Sequence, residues 1–395
     1  MAGAPPFDAG RLVTLANWQE APFNRWAFQH VAELIPTARI PRGDGPVWEL
    51  GRDERDLSGV TIHRDDHGQP MAEFLRQTST DGILVLRAGA VVWEEYFNSM
   101  TPDSRHLLMS VSKSITSAVC GVLVDRGLLS PTDLVTEHLP ELSGTSWDGC
   151  TVRALLDMRA GTRFNEDYAN PEADVRIYEQ VYLWRPRTDR GLPDDITAYY
   201  RTLENAGPHG GPFDYRSILT DILAWVMERA AGERLPELIA RELWRPMGAG
   251  ADAEITVDGH GNPMADGGIS CTLRDLARFG MLLHGQGRRG NDQVVPSAWI
   301  VDTLTPDDDT AAAFEGSLDA REFPRGAYYR NQFWVIDPDA PIFLCSGIHG
   351  QSVLIHGPAD VVIAKLSTWP VAWTNAFAVQ TWKGLVDLAE QVAAG

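Results

Sequence analysis

Arg105-His106-Leu107-Leu108-Met109-Ser110-Val111-Ser112-Lys113-Ser114, continued by Ile115-Thr116-Ser117-Ala118-Val119-Cys120-Gly121-Val122-Leu123-Val124, is the stretch on which this chain turns. Ile115, Val119, Val122 and Leu123 recur at helical spacing, and Asp125-Arg126-Gly127 ends the run with a basic last turn and a glycine stop. A helix apolar almost all round belongs inside a domain, which places Ser110 at a buried N-terminal end. Ser110 and Lys113, three residues apart, share one helical face. Free N–H groups and the positive dipole end favour negative charge there, which suits a nucleophile whose attack creates an oxyanion.

Of the 34 basic residues only Lys113, Lys365 and Lys383 are lysines. A guanidinium stays protonated, whereas a desolvated ammonium shifts its pKa and can release its proton. Lys113 is therefore a candidate activating base for Ser110, in the only Ser-x-x-Lys of the 395 residues. A helix-capping serine followed by a surface lysine is the plainer reading, and the apolar flanks count against it.

Working outward, residues 83–87 and 91–97 around Ala88-Gly89-Ala90 read as a strand hairpin. A mostly helical stretch follows, including 152–158, 218–229 and 273–283. Strands return at 332–336, 352–356 and 361–367, before an amphipathic helix at 376–394. Strands, then helices, then strands predict an α+β chain: a mainly antiparallel sheet with a helical region inserted. Residues 1–105 and 281–395 would form the α/β part, and residues 106–280 the mainly helical one.

A formal charge of −20 argues against nucleic acid or an anionic membrane as partner. Cys120, Cys150, Cys271 and Cys345 are far apart and form no C-x-x-C pair, so free buried thiols in a reducing compartment are expected. Met1–Asp8 has neither a basic n-region nor an apolar core, and no apolar run is long enough to span a membrane. The expected address is the cytoplasm. The 13 tryptophans are expected mostly in the core, with some lining an aromatic cleft.

Four further motifs read as structure. Gly285-Gln286-Gly287-Arg288-Arg289-Gly290 follows a helix instead of a strand and reads as a turn. His63-Arg64-Asp65-Asp66-His67 is broken by Gly68 and Pro70, so a solvated turn is expected there. Asp307-Asp308-Asp309 lacks the glycine and glutamate of a calcium loop and reads as an exposed acidic loop. His209-Gly210-Gly211 has no G-x-S-x-G elbow to partner and reads as a loop. No metal and no cofactor are expected.

Two others gain weight in combination with Ser110. Tyr215, in Phe213-Asp214-Tyr215-Arg216-Ser217, precedes an amphipathic helix. A phenol titrates at about 10, but an adjacent ammonium favours the phenolate, so Tyr215 could take the serine proton and return it to a leaving group. Ser346-Gly347-Ile348-His349-Gly350-Gln351 opens a strand with close glycines, where backbone N–H groups can meet a substrate.

The order Ser110-x-x-Lys113, Tyr215, then His349-Gly350 on a late strand resembles the serine hydrolases of the class C β-lactamase and penicillin-binding fold. Closer still is the resemblance to the 6-aminohexanoate-dimer hydrolases, the nylon-oligomer amidases. It is carried by Trp18-Gln19-Glu20, Asn24-Arg25-Trp26-Ala27-Phe28, Arg105–Ser114, Asn165-Glu166-Asp167-Tyr168, Asp221–Arg229, Gly267–Thr272, Gly347–Gln351 and Lys365–Pro370. The resemblance implies that Ser110 is acylated, Lys113 is its electrostatic partner and Tyr215 is the general base and acid. It also implies an oxyanion hole from the N–H groups of Ser110 and Ile348, and Tyr168 on the leaving amide nitrogen. The active site would lie between the helical and α/β parts.

Two motifs depart from that pattern. Tyr-x-Asn is here Tyr215-Arg216-Ser217, and Lys-Thr-Gly is here Ile348-His349-Gly350, which removes the usual groups for a β-lactam carboxylate. For the ammonium of a linear substrate the register offers Glu179 first and Asp266 second, with His349 a further substrate contact. The expected activity is hydrolysis of linear amides through an acyl-enzyme, with short-chain esters as companion substrates. A pure carboxylesterase and a non-catalytic binding protein on the same fold are the rival readings, and a homodimer is admissible.

Overall fold

The computed structural model describes residues 8–64, 67–188 and 191–395. The leader reading of residues 1–7 and the Asp65-Asp66 part of the histidine-flanked turn lie outside them. The predicted hairpin forms as Thr80–Arg87 and Ala90–Tyr96, with Ala88 and Gly89 both at positive φ in its two-residue turn. The late strands are Tyr328–Arg330, Phe333–Asp337, Ile342–Gly347, Gln351–His356 and Val361–Ser367. They join the hairpin where Val361–Ser367 runs antiparallel to Thr80–Arg87, Ala364 opposite Leu84. The result is one eight-stranded sheet, antiparallel throughout except for Gly51–Arg52, which lies parallel at the far edge. Every residue of Gln351–His356 and Val361–Ser367 is buried, as expected of strands covered on both faces. Helices Leu273–His284, Asn375–Ala394 and Val111–Asp125 pack on it.

One of the buried positions is Lys365, wholly enclosed between Ser352 and Ile83 on the neighbouring strands. Its ammonium reaches Thr78 O at 3.4 Å and the Ser367 hydroxyl. Burial pushes its pKa down to about 7, against a partial pull upward from Asp81. The unfolded chain therefore binds a proton at this lysine between pH 7 and about 10.5 that the folded chain does not. Stability relative to Lys365→Met should rise across that window, by about 1.4 kcal/mol per pH unit at most, and level off below pH 7. Urea titrations of both proteins at pH 7 and pH 9.5 test this, and a constant difference would show that Lys365 stays charged.

A second, four-stranded sheet takes the order Thr37–Ile40, Ala253–Thr256, Ile269–Thr272, Arg105–Leu107. Two of its strands lie wholly within 106–280 and Arg105–Leu107 runs into it, in a region expected to be mainly helical. It holds the entry to the Ser110 helix: Leu107 N–H donates to Phe28 O and Leu108 N–H to Ile269 O, each at 2.8 Å. Helices Leu235–Ile239 and Leu273–His284 pack against it. The helix expected to reach Met158 stops at Leu156, because Met158 takes a positive φ.

The G-x-G-x-x-G segment is a turn. Gly287 has φ +77° there, and a Cβ on it would fall 1.9 Å from Val295 O. The acidic triplet is a helix start, not a loop: Asp307 caps Asp308–Glu315 by accepting from Thr310 N–H, and Asp309 pairs with Arg159 at 2.7 Å. All four cysteines are free and buried. Among the described residues no helix is long and apolar enough to cross a membrane, and no three His, Cys, Asp or Glu side chains are grouped to hold a metal ion.

Candidate active site

Ser110 occupies the N-cap position of Val111–Asp125, a helix buried from Val111 through Leu123. Its hydroxyl caps no backbone N–H. Met109, just before it, has φ +48°, and this sharp elbow turns Ser110 from the strand into the helix. Lys113, 1% exposed, donates to Ser110 Oγ at 2.8 Å, Ser217 Oγ at 2.9 Å and Asp266 O at 2.9 Å. Those three acceptors use all three ammonium protons. Burial pulls the Lys113 pKa down, but Tyr215, Asp266 and Glu166 outweigh it and the pKa is raised. The expectation that desolvation would free the Lys113 proton is thereby reversed, because the lysine is surrounded by acidic groups.

Tyr215 faces the side chains of both Ser110 and Lys113, with the ammonium 5.2 Å from its ring centre. Its ring stacks on Trp334 (5.5 Å, 18°) and meets the edge of Tyr329. Burial raises the Tyr215 pKa and the Lys113 charge offsets only part of that, so Tyr215 rests as the phenol and not as the phenolate expected. Two residues given no role in the sequence reading complete the network. Ser217 Oγ donates to Glu166 Oε1 at 2.5 Å, and its own N–H bonds the other oxygen of Glu166. Burial raises the Glu166 pKa. The signal for Ser217 was its place as third residue of the motif Tyr215-Arg216-Ser217, where a hydroxyl replaces the usual amide.

Gly347 ends its strand against the start of the Ser110 helix. A Cβ at 347 would lie 2.9 Å from Ser110 N and 2.8 Å from Leu108 O, so glycine alone permits the approach. Residues 348–350 are the turn between strands Ile342–Gly347 and Gln351–His356, so the segment closes one strand and opens the next, with Ile348 beside Ser110 on the cavity wall. Tyr168 lines the same wall and donates to Glu166 Oε1 at 2.7 Å, with the Arg176 guanidinium 5.4 Å from its ring centre. Ser110, Tyr215, Ile348 and Tyr168 thus share one cavity of about 550 Å³, with Lys113 directly behind Ser110.

The other three candidates do not line it. Glu179, 3% exposed, is held by Arg176 at 2.8 Å, Arg185 and Gln19, so both its oxygens are already taken and it cannot receive an ammonium. Asp266 faces inward, its carboxylate 3.6 Å from the Lys113 ammonium and 3.0 Å from the Tyr178 hydroxyl, which also bonds Asp221. It is the counter-ion of Lys113 and not a substrate contact. Asp221 accepts from the N–H groups of Ala265 and Asp266, fixing the loop whose carbonyl meets Lys113. His349, at φ +60°, is buried against Phe28 with Nδ1 at 2.9 Å from Trp369 O, and burial lowers its pKa to about 4. It shapes the turn and stays neutral.

The sequence profile of the beta-lactamase family matches residues 69–376. The chain belongs to that family. A 6-aminohexanoate-dimer hydrolase of Paenarthrobacter ureafaciens is 41% identical over 359 residues, 90% of this chain and 88% of the relative. Among solved structures, a Bacillus anthracis protein described as a candidate 6-aminohexanoate-dimer hydrolase superposes with a TM-score of 0.87 at 24% identity, covering 96% of this chain and 97% of its own. A family VIII carboxylesterase superposes with a TM-score of 0.56 at 15% identity over 78% of this chain and 92% of its own, a likeness of fold alone. The protein is an enzyme, a hydrolase of the beta-lactamase fold.

Proposed function

We propose that this enzyme hydrolyses linear amides of the 6-aminohexanoate-dimer type through an acyl-enzyme on Ser110, with short-chain esters as companion substrates. The observation that carries the reading is Ser110 Oγ held 2.8 Å from a buried lysine and faced by Tyr215 at the wall of the cavity. Ser110 Oγ attacks the carbonyl carbon, and the N–H groups of Ser110 and Ile348 receive the developing oxyanion. Tyr215 takes the serine proton while its own passes to Lys113, which in the same step gives a proton to Ser217 as Ser217 gives its own to Glu166, where burial has raised the proton affinity of the carboxylate. Collapse of the adduct breaks the C–N bond, and the proton returns through Tyr215 to the departing nitrogen. Water then repeats the attack on the ester of Ser110 and frees the acid.

The residue that separates amidase from esterase is Tyr168. An amide nitrogen must be protonated as it leaves, whereas an alkoxide leaves more readily, so a phenol beside the nitrogen matters more for amides. Tyr168→Phe is expected to lower kcat/KM for a linear amide by about tenfold, near 1.4 kcal/mol of transition-state binding. Ester turnover should stay much closer to normal. Equal losses on matched amide and ester substrates would favour the carboxylesterase reading.

Two further expectations remain part of this proposal. Division at 105 and 281 is supported by the eight-stranded sheet, whose strands all come from outside 106–280. A cytoplasmic address is supported by the four free thiols.

A further inference from the structure

With Glu179 and Asp266 engaged inside the protein, a cation-bearing substrate has to find its counter-charge elsewhere. The lining of the catalytic cavity contains Glu166, Asp167, Asp214 and Asp319 and no Lys, Arg or His. Such a wall repels anions and concentrates cations. Asp319 also lines a side recess of about 20 Å³, which shares Trp334, Ser346 and Trp373 with the main cavity. That is space for a single water or one ammonium group.

Resting on the amidase reading above, we propose that this recess binds the terminal primary ammonium of the substrate, between the carboxylates of Asp319 and Glu322 and the hydroxyl of Thr381. Three independent features support it. Thr381, on helix Asn375–Ala394 and only 2% exposed, lines the recess with a hydroxyl that has no hydrogen-bond partner among the described residues. A buried hydroxyl left in that state is a cost that a bound donor removes.

The carboxylates lack a counter-charge. Among the described residues no ion pair reaches Asp319 or Glu322. Burial raises both pKa values, with Asp214 adding to the effect on Asp319 and Asp319 to that on Glu322, which reaches about 7. A cation placed between them relieves that repulsion.

Finally, a column of stacked rings leads from the reaction centre to the recess. Tyr215 lies on Trp334, Trp334 on Phe323 (5.2 Å, 12°) and Phe323 on Trp382 (5.8 Å, 13°). Trp334, Phe323 and Trp382 all line the recess. An apolar rail of this kind suits the methylene chain that separates a reacting carbonyl from a distant ammonium.

The test does not require turnover. Binding of n-hexylammonium to the native enzyme is measured by calorimetry beside n-hexanol and hexanoate. Hexylammonium is expected to bind and hexanoate not. Asp319→Asn and Glu322→Gln should each weaken hexylammonium binding by about tenfold, while hexanol binding is unchanged. In kinetics the same variants should raise KM for a free-amine substrate and spare its N-acetylated form. Hexylammonium that fails to bind, or binds both variants as it binds the native enzyme, overturns the proposal even if amide turnover is intact. Selective binding that is lost in the variants, in an enzyme that cleaves esters but no amide, would uphold the recess and overturn the amidase reading instead.

Discussion

Ser110→Ala is expected to lower kcat by about 10⁴-fold or more on every substrate, because removing the nucleophile leaves only binding and the oxyanion hole. The fold should survive, since Lys113 keeps its bonds to Ser217 and the Asp266 carbonyl. Lys113→Arg is expected to be nearly as damaging although the charge is kept. Ser110, Ser217 and Asp266 O surround one tetrahedral nitrogen, and a planar fork of five donors cannot meet all three in a space sized for an ammonium. Single-turnover kinetics on one ester and one amide, together with thermal melts, would check both variants. An arginine enzyme that kept most of its kcat would reduce Lys113 to a structural cation and remove the proton route through Ser217 and Glu166.

Gly347→Ala is expected to lower kcat by about 10²- to 10³-fold, with a much smaller change in KM. The added methyl would stand 2.9 Å from Ser110 N and 2.8 Å from Leu108 O, both backbone atoms that cannot rotate aside. Either the strand end retreats, carrying the Ile348 N–H with it, or the Met109 elbow shifts. Both outcomes separate the two donors that must converge on one oxyanion. Near-UV circular dichroism should show the core intact, since the substitution sits at the end of the strand. Unchanged kcat would place the oxyanion hole elsewhere.

How legible each part was depended on the range of the forces involved. The hairpin at Ala88-Gly89, the buried Ser110 helix and the final helix are governed by local periodicity and turn chemistry, and all three form within a few residues of the expected bounds. The strands at 253–256 and 269–272 were missed inside a region read as helical. They are four residues long, buried at nearly every position and stabilised by partners far away in sequence, so no alternation marks them. Glu179 failed as an ammonium site because register places a residue without saying which arginines fold onto it.

By itself, then, the sequence determined an α+β chain with a nucleophilic serine at the head of a buried helix, a lysine one turn along, and a tyrosine before another helix. Those features are written in spacings of three or four residues and in runs of apolar side chains, which need no knowledge of distant partners. Only the tertiary structure decided the protonation states and the recognition groups. Lys113 is an ammonium because Tyr215, Asp266 and Glu166 converge on it from separate segments of the chain, and together these acidic groups outweigh burial. Asp319 and Glu322, unremarkable in a chain with 54 acidic residues, stand out because folding half-buries them beside the catalytic cavity with no ion pair among the described residues. Electrostatic energy depends on distance and dielectric, and both are set by packing rather than by position along the chain.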